Sequence, residues 1–182
     1  CVRAAGLEVA SIELEPLASA DAVLSKQELE AGVALVDIGG GTTDIAIFQD
    51  NIIRHTAVIP FAGNIVTEDI KQGCKVLRKQ AEQLKVKFGA AIGDLTSENE
   101  IISISGIAGR ERKEISMPML ANIIQARMEE IIDQIAFEIK SSGYANRLDA
   151  GVVVTGGGSK LKHLKHLFEL NLRGMETRIG SP

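Results

Sequence analysis

Two glycine-rich segments of the sequence have residue types and spacing that suit a phosphate-bearing ligand. The first, DIGGGTTD at Asp37–Asp44, lies between two runs of β-forming residues, whereas a dinucleotide fingerprint or a P-loop leads into a helix. Its glycines let backbone N–H groups approach a phosphate, and Thr42 and Thr43 add hydroxyl donors. The carboxylates of Asp37 and Asp44 suit a hydrated Mg²⁺. The alternative is a tight hairpin whose glycines serve only the turn.

The second segment, VTGGGSK at Val154–Lys160, follows a short apolar run and precedes a helical pattern. A helix N-terminus offers free N–H groups and partial positive charge, and bare glycines suit a flat ring lying against the backbone. A simple turn from strand to helix is equally compatible with this segment. The chain thus contains two segments suited to one kind of ligand, although more than one hundred residues separate them. We therefore expect both to line one cleft.

The elements that must position these loops follow from hydrophobic periodicity and turn residues. An antiparallel meander of three strands is predicted at Val33–Ile38, Thr43–Phe48 and Ile52–Ile59. Helices are predicted at Pro16–Ser25, Gly63–Gly73, Arg78–Phe88, Met117–Ser142 and Ser159–Leu172. Short strands are predicted at Leu7–Leu14, Val152–Val154 and Met175–Ile179. The fold class is therefore α/β.

The remaining segments are predicted to be less regular. The polar stretch Ser25–Glu30 is interpreted as a linker. Asp94–Ser116 is interpreted as a small hairpin with a charged loop at Gly109–Lys113, in which Arg110, Arg112 and Lys113 are solvated.

Composition excludes several classes of protein. The chain has 182 residues, of which 45% are hydrophobic and 24% charged, and its formal net charge is −4. It is thus neither disordered nor membrane-spanning, and without a basic run we expect no nucleic acid partner. Cys1 and Cys74 lie outside any metal-binding spacing, which favours a reducing compartment, and none of the three histidines is proposed as catalytic or metal-binding. Since the sequence begins at Cys1 without a methionine, we expect a piece of a longer protein.

The two glycine loops, in this order, resemble the second phosphate loop and the adenosine loop of the actin, Hsp70 and sugar-kinase ATPase superfamily. Three further segments are similar to the FtsA family of bacterial cell-division proteins: HTAVIPFAGNIVTEDI at 55–70, AEQLKVKFG at 81–89 and TRIG at 177–180. The resemblance covers nearly the whole chain and is weakest over Asp94–Ser116.

The resemblance implies an actin-like (ribonuclease H-like) half with an inserted α+β subdomain. Residues 1–30 would be the end of the first actin-like half and the connection leaving it. Residues 31–62 and 147–182 would form the core subdomain 2A, and residues 63–146 the inserted subdomain 2B.

The resemblance also implies that ATP binds with Mg²⁺ between the two halves. It assigns one set of residues to the β- and γ-phosphates: Gly39, Gly40, Gly41, Thr42 and Thr43. It assigns a second set to adenosine and its base: Gly156, Gly157, Gly158 and Lys160. Asp37 would lie near Mg²⁺, while Glu82 and Lys85 would hold the ribose and adenine; without the resemblance this pair would be interpreted as a surface i,i+3 salt bridge. Since the superfamily's first phosphate loop is absent from these residues, no catalytic residue is assigned, and weak ATPase activity at most is expected of the whole protein.

For partners, the resemblance implies a scaffold that polymerises into actin-like filaments and tethers the FtsZ ring to the membrane by binding the FtsZ C-terminal tail. The resemblance also implies that the whole protein lies on the cytoplasmic face of the inner membrane at the division site, together with other division proteins. It would attach to the membrane through a C-terminal helix beyond Pro182, whereas the fragment itself is expected to be soluble. Arg127, at the rim of the apolar stripe of the long helix, is the candidate clamp for this tail, and the alternative is an i,i+3 pair with Glu130. Alternative functions are a related ATPase of pilus assembly or cell shape, or a sugar kinase or Hsp70-type ATPase.

Overall fold

A five-stranded sheet forms the centre of the computed structural model, which describes residues 1–97, 100–106 and 112–182. The strands lie in the order β3-β2-β1-β6-β7. Their bounds are β1 Val33–Ile38, β2 Thr43–Gln49, β3 Ile52–Ile59, β6 Val152–Thr155 and β7 Thr177–Ile179. The first three strands are antiparallel, which confirms the predicted meander, while β6 runs parallel to both β1 and β7.

Burial explains the place of each strand in the sheet. β1 and β6 are near-continuous apolar runs and are buried along almost their whole length, as expected of central strands covered on both faces. β3 alternates between exposed and half-buried residues, as expected of an edge strand with one solvated face.

Helices cover both faces of this sheet. Their bounds are α1 Glu15–Val23, α2 Lys26–Ala31, α3 Gly63–Gly73, α4 Arg78–Phe88, α5 Met117–Ser141 and α6 Leu164–Asn171. Residues of α1 and α2 pack on one face, against Leu35, Phe48 and Val153. The opposite face shares a larger core with α3 to α6. In the part of the chain that the structure describes, no helix is both long and apolar enough to cross a bilayer.

The segment between β3 and β6 contains α3, α4, the short hairpin β4 (Ile101–Ile104) and β5 (Lys113–Ser116), and α5. Ser116 caps the N-terminus of α5, because its hydroxyl accepts a hydrogen bond from the backbone N–H of Met119. The helix buries one apolar stripe along its length. Both the hairpin and the long helix were predicted. Gly109, Arg110 and Glu111 of the predicted charged loop lie outside the described residues, and Lys113, predicted in that loop, is instead the first residue of β5.

Two predictions near the N-terminus are wrong. Leu7–Leu14, predicted as a strand, is irregular and exposed, because no strand of the described residues pairs with it. Most of Ser25–Glu30, predicted as a linker, belongs to the short helix α2, and Ser25 is its N-cap. Ser25 and Glu28 form a capping box, a local signal that hydrophobic periodicity cannot detect in six residues.

An ion pair fixes these N-terminal helices to the far edge of the sheet. The Arg178 guanidinium on β7 donates to both carboxylate oxygens of Glu28, at 2.6 and 2.8 Å, and to the carbonyl oxygen of Val23 at 2.7 Å. These hydrogen bonds from Arg178 outweigh the opposing effect of burial and, with those from Ser25, lower the pKa of Glu28 from 4.5 to about 2. The carboxylate therefore stabilises the fold fully above pH 4.5.

We predict that Glu28→Gln lowers the free energy of unfolding at pH 7 by about 1 to 2 kcal/mol, allowing for partial exposure of the pair. The glutamine can still cap α2 but carries no charge for Arg178. Because the pKa of Glu28 is depressed on folding, the difference from the unmodified chain should shrink as the pH falls from 4.5 towards about 2. Urea denaturation across this range is the measurement. Glu30→Gln, on the exposed side of α2, is the matched control, and an equal loss in both variants would contradict the role of the pair.

Candidate functional site

A cleft of about 390 Å³ lies between the two glycine turns and the helices α3, α4 and α5. The two turns thus meet at one site, as the sequence predicted. The predicted site residues that line it are Gly39, Gly40, Glu82, Lys85, Gly157, Gly158 and Lys160. Gly63, Asn64 and a set of apolar side chains supply the rest of the wall. The apolar side chains are those of Ile38, Val66, Val86, Met128 and Leu161. A cleft with an apolar wall and a few polar groups is typical of small-molecule sites.

The first glycine turn joins the sheet to the helices beyond it. Within the turn, the N–H of Gly39 donates to the carbonyl oxygen of Thr42 at 3.0 Å. The carbonyl oxygens of Gly39 and Gly40 accept hydrogen bonds from the N–H groups of Gly63 and Asn64, at 3.1 and 2.7 Å. Since Gly63 and Asn64 begin α3, two of the N–H groups that a helix leaves unpaired at its start are satisfied by this turn.

The three glycines of the second turn have different roles. Gly156 has φ +83°, and a Cβ there would lie 2.3 Å from Asp37 Oδ1; a Cβ on Gly158 would lie 2.4 Å from Ile38 Cγ2. These two positions therefore need glycine to pack against the end of β1. Gly157 has open space at its Cβ position and lines the cleft.

The segment after this turn differs from the prediction. A 3₁₀ turn at Gly157–Lys160 follows β6, and α6 begins only at Leu164 instead of at Ser159. The N-terminus of an α-helix therefore does not lie at these glycines. The polar run Ser159–Lys160 continues the helical pattern in the sequence, which is why the prediction began the helix too early.

The acidic residues of the first loop lie on the other face of the sheet, which α1 covers. Asp37 and Asp44 are directly opposite each other on β1 and β2. The Ser19 hydroxyl of α1 donates to Asp37 Oδ2 at 3.2 Å, and the Thr42 hydroxyl donates to Asp44 Oδ2 at 2.9 Å. These carboxylates suit Mg²⁺, although the described residues contain no group of three or more His, Cys, Asp or Glu side chains arranged to hold a metal.

Thr43 is completely buried, and its hydroxyl donates to the carbonyl oxygen of Phe61 at 3.1 Å. This hydroxyl therefore holds the turn to the chain that follows β3, which differs from the phosphate-donor role predicted for it. Gly41 and Thr42 are exposed and lie outside the lining of the cleft.

Three polar side chains meet at the cleft. Glu82 and Lys85 lie one turn apart on α4, and the third, Thr67 of α3, was not predicted from the sequence. The Lys85 ammonium lies 2.9 Å from Glu82 Oε2 and 2.8 Å from the hydroxyl oxygen of Thr67. The Thr67 hydroxyl lies 2.5 Å from the same carboxylate oxygen. Burial raises the pKa of Glu82, but the hydrogen bonds from Thr67 and Lys85 outweigh it, so the net pKa is lowered and the carboxylate stays ionised.

The sequence that forms this cleft matches a known protein family. Residues 34–182 match the family model described as "Cell division protein FtsA". The chain belongs to the FtsA family. The FtsA of Pseudomonas aeruginosa is 44% identical over 182 residues, covering 100% of this chain and 43% of that protein. The FtsA of Neisseria meningitidis is 38% identical over 183 residues, covering 100% of this chain and 44% of that protein. The chain thus spans less than half the length of these relatives.

Solved structures show the same fold. MreB5 of Spiroplasma citri bound to ADP has a TM-score of 0.84 and 26% identity, over 98% of this chain and 57% of that one. The same protein bound to AMPPNP has a TM-score of 0.82 and 25% identity, over 97% of this chain and 56% of that one. The FtsA-family chain therefore has the actin-like ATPase fold that the two glycine loops implied.

Arg127 of this FtsA-family chain lies away from the cleft, in a contact between α3 and α5. Its Nε and Nη2 donate to the two carboxylate oxygens of Asp69, at 2.6 and 3.1 Å, and its Nη1 contacts the carboxylate of Glu130. The hydrogen bond to Asp69 is the largest reason that the pKa of Arg127 is raised. The pair with Glu130 was the alternative considered from the sequence; Asp69 was missed because it is 58 residues away in the chain.

We predict opposite results for two neighbouring glycines of the second turn. Gly156→Ala should lower the free energy of unfolding by about 2 to 4 kcal/mol, because a side chain there is strained at positive φ and collides with Asp37. Gly157→Ala should change stability by less than about 0.5 kcal/mol, because its Cβ would meet open space. Urea denaturation of both variants is the measurement. Similar losses in the two would show that the turn does not pack against β1 as described.

Proposed function

We propose that this chain is the nucleotide-binding part of an FtsA-family division scaffold, and that ATP with Mg²⁺ binds in the cleft described above. The observation that carries the proposal is the convergence of both glycine turns, Glu82, Lys85 and Lys160 on one cleft. MreB5, bound to ADP or AMPPNP, matches almost the whole chain in structure, which supports an adenine nucleotide as the ligand.

The lining suggests how the nucleotide would lie. The backbone of Gly39 and Gly40 would face the β- and γ-phosphates, where the absence of side chains allows close approach. Gly157 and Gly158 would face the adenosine, with Lys160 near the base. The apolar side chains of the wall would cover the flat faces of the ring.

Magnesium would be held beside the first turn. Asp37, at the end of β1 beside this turn, remains the candidate residue near the ion. Because its carboxylate lies on the α1 face and outside the lining of the cleft, water would connect it to the ion. The bound ion would neutralise phosphate charge near Asp37 and Asp44. In this proposal the nucleotide controls filament assembly, and ATP hydrolysis, weak at most, is a property of the whole protein.

Membership of the FtsA family supports the rest of the proposal. The whole protein would polymerise, bind the FtsZ C-terminal tail and other division proteins, and attach to the cytoplasmic face of the inner membrane at the division site through a C-terminal helix. The tail would bind on α5, where Arg127 remains the candidate contact. Because its guanidinium is already paired, a carboxylate of the tail would have to replace Glu130, whose side chain is 63% exposed.

We predict that Lys160→Ala weakens binding of MgADP by about three- to tenfold, because it removes a charge that lines the cleft. The matched control is Lys162→Ala. Lys162 is exposed in the same loop but outside the lining, and it bonds to Ala91 and Gly89 only through its backbone. Calorimetric titration of the chain and both variants is the measurement. Equal losses in the two variants would indicate a general charge effect, and no binding by the folded chain would refute the proposed site.

A second prediction concerns the FtsZ tail. If a tail carboxylate replaces Glu130 at Arg127, Glu130→Gln should tighten binding of a synthetic FtsZ C-terminal peptide by about two- to fivefold, because a competitor is removed. Arg127→Ala should weaken it by about tenfold, the usual effect of losing a charge-assisted contact.

Asp133→Asn is the control for Glu130→Gln, since Asp133 is exposed on α5 one turn further along and the charge change is the same. Calorimetry gives the affinities, and thermal denaturation checks that α3 and α5 remain packed in Arg127→Ala. Tight binding that neither Glu130→Gln nor Arg127→Ala changes would place the tail elsewhere on the chain.

A further inference from the structure

The solvent-facing side of α4 is positively charged. Its exposed residues include Lys79, Gln83 and Lys87, whose four-residue spacing places them along one side of the helix. The one acidic residue in the sequence of α4, Glu82, lines the cleft together with Lys85. The solvent-facing side of α4 therefore presents lysines without a carboxylate of the same helix beside them.

The loop before α6 adds positive charge next to the end of α4. The N–H of Lys162 donates to the carbonyl oxygen of Gly89 at 3.3 Å, and the N–H of Ala91 donates to the carbonyl oxygen of Lys162 at 2.8 Å. Gly89 follows Lys87 closely in the chain, and both Lys162 and Lys165 are exposed. The fold thus brings together lysines that the sequence separates widely.

We call Lys87, Lys162 and Lys165 the basic patch. In the part of the chain that the structure describes, no carboxylate pairs with Lys87 or Lys162. Lys165 lies 3.5 Å from Glu169, and its side chain is 54% exposed. The chain as a whole has a formal net charge of −4. The patch is therefore a local excess of positive charge, at which an anionic partner can approach a chain that repels it elsewhere.

The residue types favour a lipid surface among anionic partners. Lysine carries a compact, hydrated point charge, whereas arginine is typical of sites that bind a carboxylate through two fixed hydrogen bonds. Single-stranded nucleic acids are bound largely by stacking on aromatic side chains. The basic patch as defined contains neither arginine nor an aromatic side chain. Diffuse attraction to many headgroups needs only exposed lysines, and each lysine close to an anionic membrane contributes to it.

We infer that the basic patch binds anionic lipid headgroups and gives the protein a second contact with the membrane. The inference rests on the proposed function, which places the whole protein against a membrane. A basic patch alone binds weakly and reversibly, and stable attachment takes two signals. The proposed C-terminal helix would be the other signal, and the patch would determine which side of the chain faces the lipid.

Vesicle flotation tests this inference with the chain as it is. The unmodified chain is mixed with vesicles of phosphatidylcholine alone, or with vesicles in which one third of the lipid is phosphatidylglycerol. At low salt the anionic vesicles should bind the chain at least about fivefold more strongly than the neutral ones. This preference should disappear at about 0.5 M sodium chloride, because salt screens exposed charges. The double variant Lys87→Gln/Lys162→Gln should bind the anionic vesicles about tenfold more weakly than the unmodified chain.

The matched control is Lys26→Gln/Lys140→Gln, which changes the net charge by the same amount. Lys26 is exposed on α2, on the opposite face of the sheet. Lys140 is exposed near the end of α5, where it lines a cavity with Asn171 at the C-terminal end of α6. The control should keep most of the binding to anionic vesicles. Equal losses in the two double variants would show a general charge effect and overturn the inference.

Three further results would also overturn the inference. The first is equal binding to both kinds of vesicle. The second is displacement of the chain from anionic vesicles by glycerol phosphate at the same phosphate concentration, which indicates a site for a soluble phosphate. The third is no vesicle binding by a chain that binds polyglutamate or a single-stranded oligonucleotide, which indicates a macromolecular partner.

Titration with MgADP keeps this test separate from that of the nucleotide site. Lys87 and Lys162 lie outside the lining of the cleft, so their double variant should bind MgADP as tightly as the unmodified chain. MgADP binding without vesicle binding overturns the inference alone. Vesicle binding that depends on the patch, without MgADP binding, refutes the nucleotide site and supports the inference.

Discussion

The structure depends on the contact between the first glycine turn and the start of α3. Two carbonyl oxygens of the turn, on Gly39 and Gly40, accept the N–H groups of Gly63 and Asn64. This contact satisfies two backbone N–H groups at the start of the helix. It also fixes the point at which the segment between β3 and β6 leaves the sheet. Every residue that α3 and α4 bring to the cleft takes its position from that point. The glycines of this turn therefore shape the cleft as well as line it.

A continuous hydrophobic core supports this arrangement. The buried stripe of α5 packs in the same cluster as Ile38 and Ile45 of the sheet and Val66 of α3. Met128 belongs both to that core and to the wall of the cleft. The floor of the site is thus part of the interior, so its shape is set by packing and not by mobile surface side chains.

Local signals in the sequence predicted much of the fold and part of the site. The glycine hairpin, the meander and the stripe of α5 depend on residues close together in the chain, and each was found where expected. Thr67 and Asp69 were missed because their partners lie on other helices, 15 residues away for Glu82 and 58 for Arg127. Periodicity within one helix cannot reveal which helix packs beside it. The strand predicted at Leu7–Leu14 failed for a related reason, since alternation alone does not supply a neighbour to pair with.

The pairing of β1 with β6 has a consequence for the order in which the chain folds. These central strands are parallel neighbours, Ala34 opposite Val152 and Val36 opposite Val154, although more than one hundred residues separate them. The meander and the helices that follow it are complete in the growing chain well before β6 is synthesised. Closing so long a loop is entropically unfavourable, so the middle of the sheet is among the last parts to assemble. Until then the edge of β1 that β6 will cover exposes unpaired backbone groups.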